Sequence, residues 1–393
     1  MTEKIIEVKE LQKIYNSGHM EIEAVKRISF SVAEGEIFGF LGPNGAGKTT
    51  TLNILSTLLF PTSGTAEING HNIEKNPDGV RRSIGMVFQD TSLDIDLTGY
   101  ENLELHAIMY GLDKKTRKNR IAEMLKIVDL TDKANIFIKN YSGGMKRRLE
   151  IARGLLHYPK CLFLDEPTLG LDPQTRRNIW EHIKNLNMRY GITIILTTHY
   201  MEEADELCDR ICIIDHGEII ALDTNENLKE ELKGDIISME FEDHSALRKF
   251  KKRIKDFPGI TAMKELSPKK GAPMIGGPMM GGPTMGNKPP KMGEKHPEMR
   301  GKLPMDDEIK KVMMEAMRQK STKINITIEN GSEKVPELIK IANDSSIKIK
   351  TLTISQPSLE DVFIHYTGRS IRAEEGQGLH GMIRQMIQSR MRG

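Results

Sequence analysis

At 393 residues the chain is long enough for two or three domains, and with 38% hydrophobic and 28% charged residues it can fill more than one packed core. A formal net charge of +2 is too small for whole-chain attraction to nucleic acid, and three cysteines exclude a disulfide framework. Met1-Thr-Glu-Lys4 lacks an apolar signal region and no run reaches the roughly 18 apolar residues of a bilayer span, so the chain is expected in the cytosol, with any membrane part supplied by another chain.

In chain order, residues 5–9 and 21–32 read as strands joined by a turn at Asn16–His19, with Tyr15 ending the first run. A strand aromatic ordinarily packs in a core, but one placed just upstream of a nucleotide loop has a second use, stacking on an adenine ring. Such a loop follows: Gly42-Pro43-Asn44-Gly45-Ala46-Gly47-Lys48-Thr49-Thr50, between the apolar run Ile37–Leu41 and the helical Leu52–Leu55. Strand, glycine-rich loop and helix carry the phosphate-binding pattern G-x-x-x-x-G-K-[ST] at Gly42, Gly47, Lys48 and Thr49. Glycines bring bare N–H groups close to phosphates, and the helix aims its positive end at the same anion. Lys48 supplies a cation for the terminal phosphates, and the Thr49 hydroxyl is placed to bind Mg²⁺. A glycine-rich turn with no ligand is the plainer alternative, and the flanking strand and helix weigh against it.

Residues 65–70 read as a short strand, and Arg82–Gln89 as an apolar strand ending in an amide that carries no signal alone. From about 98 to 133 the pattern is helical, with Glu101–Tyr110 and Ile121–Leu130 separated by Gly111. Tyr141-Ser142-Gly143-Gly144-Met145 opens a helix through Leu156, which is either a second anion site or a common helix start. Cys161–Asp165 is a fully apolar strand ending in a carboxylate, and Glu166 follows at once. At the carboxyl end of a parallel strand, Asp165 suits a Mg²⁺ ligand and Glu166 a general base for water; two acids before Pro167 also make a turn. Asp172-Pro173 starts a helix through Asn187. The β-branched strand Ile192–Thr198 ends in His199, which can contact a terminal phosphate, orient Glu166, or be a satisfied polar group. Cys161, Cys208 and Cys212 have no metal spacing and read as buried thiols.

Taken together and in this order, Tyr15, Gly42–Thr50, Gln89, Tyr141–Met145, Asp165-Glu166, Asp172 and His199 resemble the ATP-binding subunits of ABC transporters, over about residues 1–225. The resemblance implies an adenine-stacking aromatic at Tyr15, a Walker A loop at 42–50 and a Q-loop at Gln89. It further implies a signature at Ser142-Gly143-Gly144, a Walker B strand with catalytic Glu166, a D-loop at Asp172 and a switch histidine at His199. Tyr141 and Met145 stand where the family commonly has Leu and Gln. With Met-Lys-Arg-Arg-Leu after the glycines, and with Pro357–Arg369 near the end, the chain is similar to the daunorubicin-resistance type of exporter subunit. That resemblance implies ATP and Mg²⁺, the metal held through Thr49, Gln89 and Asp165. It implies a head-to-tail homodimer, in which Ser142-Gly143-Gly144 of one copy meets the ATP held by Lys48 of the other. It also implies an integral membrane permease of ABC-2 type as partner, a peripheral place on the cytoplasmic face of the membrane, and no nucleic-acid partner. ABC ATPases of the ribosome carry two ATPase halves, and those of chromosomes a long coiled coil before the Walker B strand; one phosphate loop and no heptad run fit neither.

Past Leu222 the pattern changes. Strands at 236–243, 260–266, 323–329 and 347–354 alternate with helices at 244–256 and 334–342, the βαββαβ order of a split ferredoxin-like domain. A further helix is predicted at 306–320. Residues 267–305 repeat Gly-Gly-Pro and scatter methionines; with only His296 among them, a disordered low-complexity loop is favoured over a thioether metal site. The expected fold class is therefore α/β: a P-loop ABC-type ATPase domain at 1–230 with an inserted helical subdomain. An α+β accessory domain is expected at 235–370, carrying the insert, followed by a basic amphipathic tail at 374–393. In that tail Leu379, Met382, Ile383, Met386 and Ile387 have helical spacing, suited to a membrane surface, a permease or the chain's own domain.

Overall fold

The computed structural model describes residues 3–17, 20–232, 234–266 and 322–367; the expected insert, the 306–320 helix and the basic tail lie outside the described residues. The chain forms two compact units, one of Met1–Leu232 with Pro357–Gly393 and one of Lys233–Gln356.

In the first unit the strands Lys4–Ser17 and Met20–Ala33 pair antiparallel and join Ser63–Ile68 and His71–Asn72 in a four-stranded sheet. Ile6, Val8, Leu11, Val25, Ile28, Phe30 and Val32 are buried in one core, as a sheet with one covered face requires. The first strand runs well past the predicted residue 9. Register shifts at Val8/Leu11, Leu11/Lys13 and Lys13/Ile14 break its two-residue alternation, which hides the strand from a periodicity reading.

The second sheet has six strands in the order Glu218–Thr224, Arg210–Asp215, Ile37–Leu41, Thr193–Thr198, Cys161–Asp165, Ile84–Val87. All neighbours are parallel except the first pair. Ile37–Leu41, Cys161–Asp165 and Thr193–Thr198 are buried along their whole length, which is why they read as continuous apolar or β-branched runs. Their carboxyl ends lie side by side and deliver Gly42, Glu166 and His199 to one edge. The helical segment forms Gly99–Met109, opened by a Thr98/Glu101 capping box, and Lys114–Ile127, capped by Asp113. Leu103, Ala107, Ile121, Met124 and Leu125 belong to one buried cluster with Leu149, Ile151 and Ala152 of the helix Gly143–Gly154.

In the second unit, Asp235–Phe241, His244–Arg253, Ile260–Leu266, Lys323–Ile328, Gly331–Asp344 and Ile349–Ser355 follow as βαββαβ. The sheet order is Ile260–Leu266, Lys323–Ile328, Asp235–Phe241, Ile349–Ser355, all antiparallel, with the first and third strands of the unit side by side at the centre. This is the split arrangement that the element order implies. Ile237, Met239, Phe241, Ile324, Ile326 and Ile328 pack with Leu247, Phe250 and Leu338 of the helices.

The accessory domain ends earlier than the expected residue 370. The chain leaves the second unit at Gln356, and the helix Leu359–Thr367 packs in the first unit against Met201–Leu207 and Asn225–Glu230. Leu359, Val362 and Phe363, spaced one helical turn apart, need an apolar face and find it in the core of the ATPase unit. Ser358 and Asp361 close the helix start on each other, and the Tyr366 hydroxyl donates to Glu231. The second unit is therefore an insertion between two segments of the first. Cys161, Cys208 and Cys212 are buried free thiols; burial pushes all three up, Cys161 to about 12. Among the described residues no helix is long and apolar enough to cross a membrane.

Because Phe363 is fully buried, Phe363→Ala leaves a cavity in the first unit and is expected to cost about 3–5 kcal/mol of its stability. Urea unfolding of the full chain reads this directly. A loss below about 1 kcal/mol would show that the returning helix is only laid on the surface.

Candidate active site

The phosphate loop is shaped by contacts that only glycine permits. A Cβ on Gly42 would sit 2.1 Å from the carbonyl oxygen of Ile214, and one on Gly47, at φ +105°, would sit 2.5 Å from that of Ala24. The helix Lys48–Leu55 then starts from Gly47 with no side-chain cap, so its first N–H groups and positive dipole end are left to an anion. Asn44, Gly45, Gly47, Lys48, Thr49 and Thr50 line a cavity of about 330 Å³. Gln89, Glu166 and His199, from three other strand ends, line the same cavity, as do Ala24 and Leu169.

Inside it runs a chain of buried charge. The Lys48 ammonium donates to the carbonyls of Gly42 at 2.7 Å and Pro43 at 3.1 Å, and lies 3.3 Å from Glu166 Oε1. The other Glu166 oxygen is 2.7 Å from His199 Nδ1. An ionised carboxylate only accepts, so this contact sets the His199 proton on Nδ1. Glu166 is held at φ +48°, a left-handed conformation that costs a non-glycine residue of order 1–3 kcal/mol. Its N–H donates to Thr197 Oγ1 at 3.0 Å and to the Thr197 carbonyl at 3.2 Å.

Thr197 Oγ1 in turn donates to Asp165 Oδ1 at 2.5 Å, and Thr49 Oγ1 donates to the same oxygen at 3.1 Å. Burial pushes the Asp165 carboxyl up, against the hydrogen bonds of Thr197 and Thr49. Among the described residues no group of three or more His, Cys, Asp or Glu could hold a metal by itself. One carboxylate beside one hydroxyl, at the rim of a phosphate loop, is instead the donor set for Mg²⁺, which takes one or two carboxylates plus phosphate oxygens and water. The residues present fit that ion.

Not every predicted site residue reaches this cavity. Tyr15 is 40% exposed, which removes the core reading; its ring lies 5.4 Å from the Lys13 ammonium and does not line the cavity. Pro43 and Ala46 shape the loop through the bond of Ala46 N–H to Pro43 O at 3.2 Å. Ser142 caps the helix Gly143–Gly154, its hydroxyl accepting from Met145 N–H at 3.2 Å. Gly144 packs where a Cβ would meet Thr175 Cγ2 at 2.5 Å. None of Ser142, Gly143 and Gly144 lines the cavity of its own chain. Asp172 caps the next helix by accepting from Gln174 and Thr175 N–H. Sequence reasoning missed Thr197 and Arg147, both buried and bonded to the Asp165-Glu166 turn. Thr197 sat unmarked in a β-branched run, and Arg147 served only as part of a subfamily resemblance.

Residues 25–169 match the ABC transporter family, and residues 295–367 match the C-terminal domain of DrrA1-3-like ATP-binding proteins. The daunorubicin/doxorubicin resistance ATP-binding protein DrrA of Streptomyces peucetius is 40% identical over 265 residues, 67% of this chain and 79% of that protein. The linearmycin resistance ATP-binding protein LnrL of Bacillus subtilis is 49% identical over 213 residues, 54% of this chain and 68% of that one. A dimeric ATP-binding cassette solved in a post-hydrolysis state with ADP and Pi matches with a TM-score of 0.51 at 32% identity, over 56% of this chain and 98% of that one. The chain belongs to the ATP-binding proteins of ABC transporters. It is an ATPase of that class, with a DrrA-type C-terminal region.

Two alanine substitutions separate shape from strain in the loop. Gly42→Ala must move the Ile214 backbone and is expected to abolish binding of a fluorescent ATP analogue. Gly45→Ala meets open space at φ +83°, so it pays only the left-handed penalty of about 1–2 kcal/mol and keeps measurable binding. Parental affinity in Gly42→Ala would contradict the packing described.

Proposed function

We propose that this chain is the ATP-hydrolysing subunit of an export complex, in which ATP closes two copies head to tail and a separate ABC-2-type permease carries the cargo. One observation carries the reading: Lys48, Glu166 and His199 converge on one cavity, while the helix start at Ser142-Gly143-Gly144 does not line it. A helix N-terminus with two glycines suits an anion, and a second copy placed head to tail would bring it to the phosphates. Closure then joins two half-sites, and ATP is the ligand common to both.

In this reading Lys48 and the loop N–H groups bind the β- and γ-phosphates, and Tyr15 stacks on adenine. Thr49, Asp165 and Gln89 would hold Mg²⁺, which would supply charge stabilisation to the phosphoryl oxygens. Glu166 accepts the proton of the attacking water, and His199 fixes the Glu166 carboxylate and faces the terminal phosphate. Export is supported by the names of the relatives, two of which are drug-resistance proteins. A permease partner is supported by Leu105, Ile108 and Met109, exposed on one face of the helix Gly99–Met109 that follows the Gln89 segment in the chain. The protein then sits peripherally on the cytoplasmic face of the membrane. A net charge of +2 gives no support to a nucleic-acid partner.

Glu166→Gln keeps the shape of the site and removes the base. Its turnover is expected to fall by about 10²–10⁴ with ATP binding retained. Trapped in the closed state in native membranes, this variant should co-purify with a second copy and an integral membrane protein. Parental turnover, or pull-downs returning ribosomes or DNA without a membrane protein, would overturn the reading.

A further inference from the structure

The signature helix carries a buried arginine whose contacts beyond that helix are with Phe88 and the Asp165–Pro167 turn of its own chain. Arg147, one turn into the helix Gly143–Gly154, is 6% exposed. Its Nε donates to the carbonyl of Pro167 at 2.8 Å, and its Nη2 to those of Asp165 at 2.8 Å and Glu166 at 3.1 Å. Its Nη1 donates to the Phe88 carbonyl at 2.5 Å and to Glu150 Oε2 at 3.1 Å. These contacts use every N–H that a guanidinium has.

Three successive carbonyls on one cation is not a geometry an extended strand offers, because its carbonyls alternate in direction. It becomes available here because Glu166 sits at φ +48°. The fork and the left-handed residue therefore specify one another. If Glu166 relaxed to an ordinary conformation, its carbonyl would leave the guanidinium and its side chain would turn away from Lys48 and His199. The fourth carbonyl, Phe88, immediately precedes Gln89. The same helix face fixes the far side of Gln89, since Glu150 Oε1 accepts from Ser92 N–H at 3.0 Å and Arg153 donates to Ser92 O at 2.9 Å and Oγ at 2.6 Å.

We propose that Arg147 is the positioning residue of the hydrolytic site: it holds the Asp165–Pro167 turn in the conformation that aims Glu166 into the cavity, and ties the Gln89 segment to that turn. A lysine cannot replace it, because a point charge with three donors on one nitrogen cannot span four carbonyls in two directions. Arg147 acts on the ATP bound by its own chain, even though its helix presents its N-terminus to the ATP of a second copy. This last point rests on the head-to-tail reading, and it makes the proposal testable.

The experiment holds a small amount of active full-length chain with an excess of Lys48→Ala chain, so that nearly every active chain is paired with a partner that cannot turn over. Arg147→Lys is placed in one chain or the other, and ATPase activity is read per active chain. In the active chain it is expected to lower kcat on the order of a hundredfold, the scale of a small displacement of a catalytic group. KM for ATP should stay near the parental value, and the variant should remain folded at the assay temperature even though the lost buried hydrogen bonds lower its melting temperature. In the Lys48→Ala partner the same substitution should leave kcat unchanged within about twofold. Equal losses from either chain would make Arg147 a brace for the signature helix and overturn the proposal, as would no loss at all. Arg147→Gln is run in parallel; failure of both variants to fold would also overturn it, by showing a core role. A Lys48→Ala partner that also carries Ser142→Arg should silence the active chain. If it does not, the head-to-tail reading fails, and the effect of Arg147→Lys within the active chain still decides whether Arg147 positions Glu166.

Discussion

Everything at the active edge depends on the parallel register of three buried strands. Phe40 and Leu41 lie level with Thr197 and Thr198, and Asp165 lies level with Thr197. Parallel pairing puts all carboxyl ends on one side, so the phosphate loop, the Asp165-Glu166 pair and His199 emerge together without any loop having to reach for the others. Gly42 passes so close to Ile214 that no side chain fits, which ties a fourth strand to the same level. A one-residue slip in any of these strands would reverse its side chains and empty the edge of its chemistry.

The price of that edge is buried charge. Lys48 and Glu166 are each about 5% exposed, and Asp165 and His199 are buried beside them. Buried ion pairs seldom repay their desolvation, and Glu166 adds backbone strain. The contacts that offset this cost are local and directional: two carbonyls on Lys48, Thr197 on Asp165 and on the Glu166 N–H, His199 on the Glu166 carboxylate. A cluster held by directional hydrogen bonds in this way makes a poor stabiliser and suits a catalytic site, because its groups are already oriented when substrate charge develops. The left-handed backbone of this cluster falls on Glu166, the residue that faces water in the proposed reaction.

Much of the fold was legible because its strands are buried on both faces and announce themselves as apolar runs, and because a phosphate loop has a pattern fixed by steric needs. The βαββαβ order of the second unit was legible from the succession of its elements, with Lys323–Ile328 alternating cleanly between buried and half-exposed residues. The edges of the elements were less so. Residues 10–17 belong to a strand whose bulges erase its period, and the helix Leu359–Thr367 was assigned to the wrong unit because an apolar stripe states that it needs a partner without stating which one. Of the residues proposed for the site, Lys48, Thr49, Asp165, Glu166 and His199 stand out in the sequence from strand ends and spacing, and Gln89 from resemblance. Thr197 and Arg147 were not, because a threonine in a strand and an arginine in a helix are ordinary until their burial is known.

The central claim is that hydrolysis belongs to a site completed by two copies of this chain. Its most direct test is the turnover per chain, at saturating ATP and Mg²⁺, as the total concentration of purified protein is varied across several decades. Turnover per chain should fall toward zero on dilution and rise to a plateau as pairs form. Constant turnover per chain down to the lowest measurable concentration would contradict it, since a single copy would then hold a complete site.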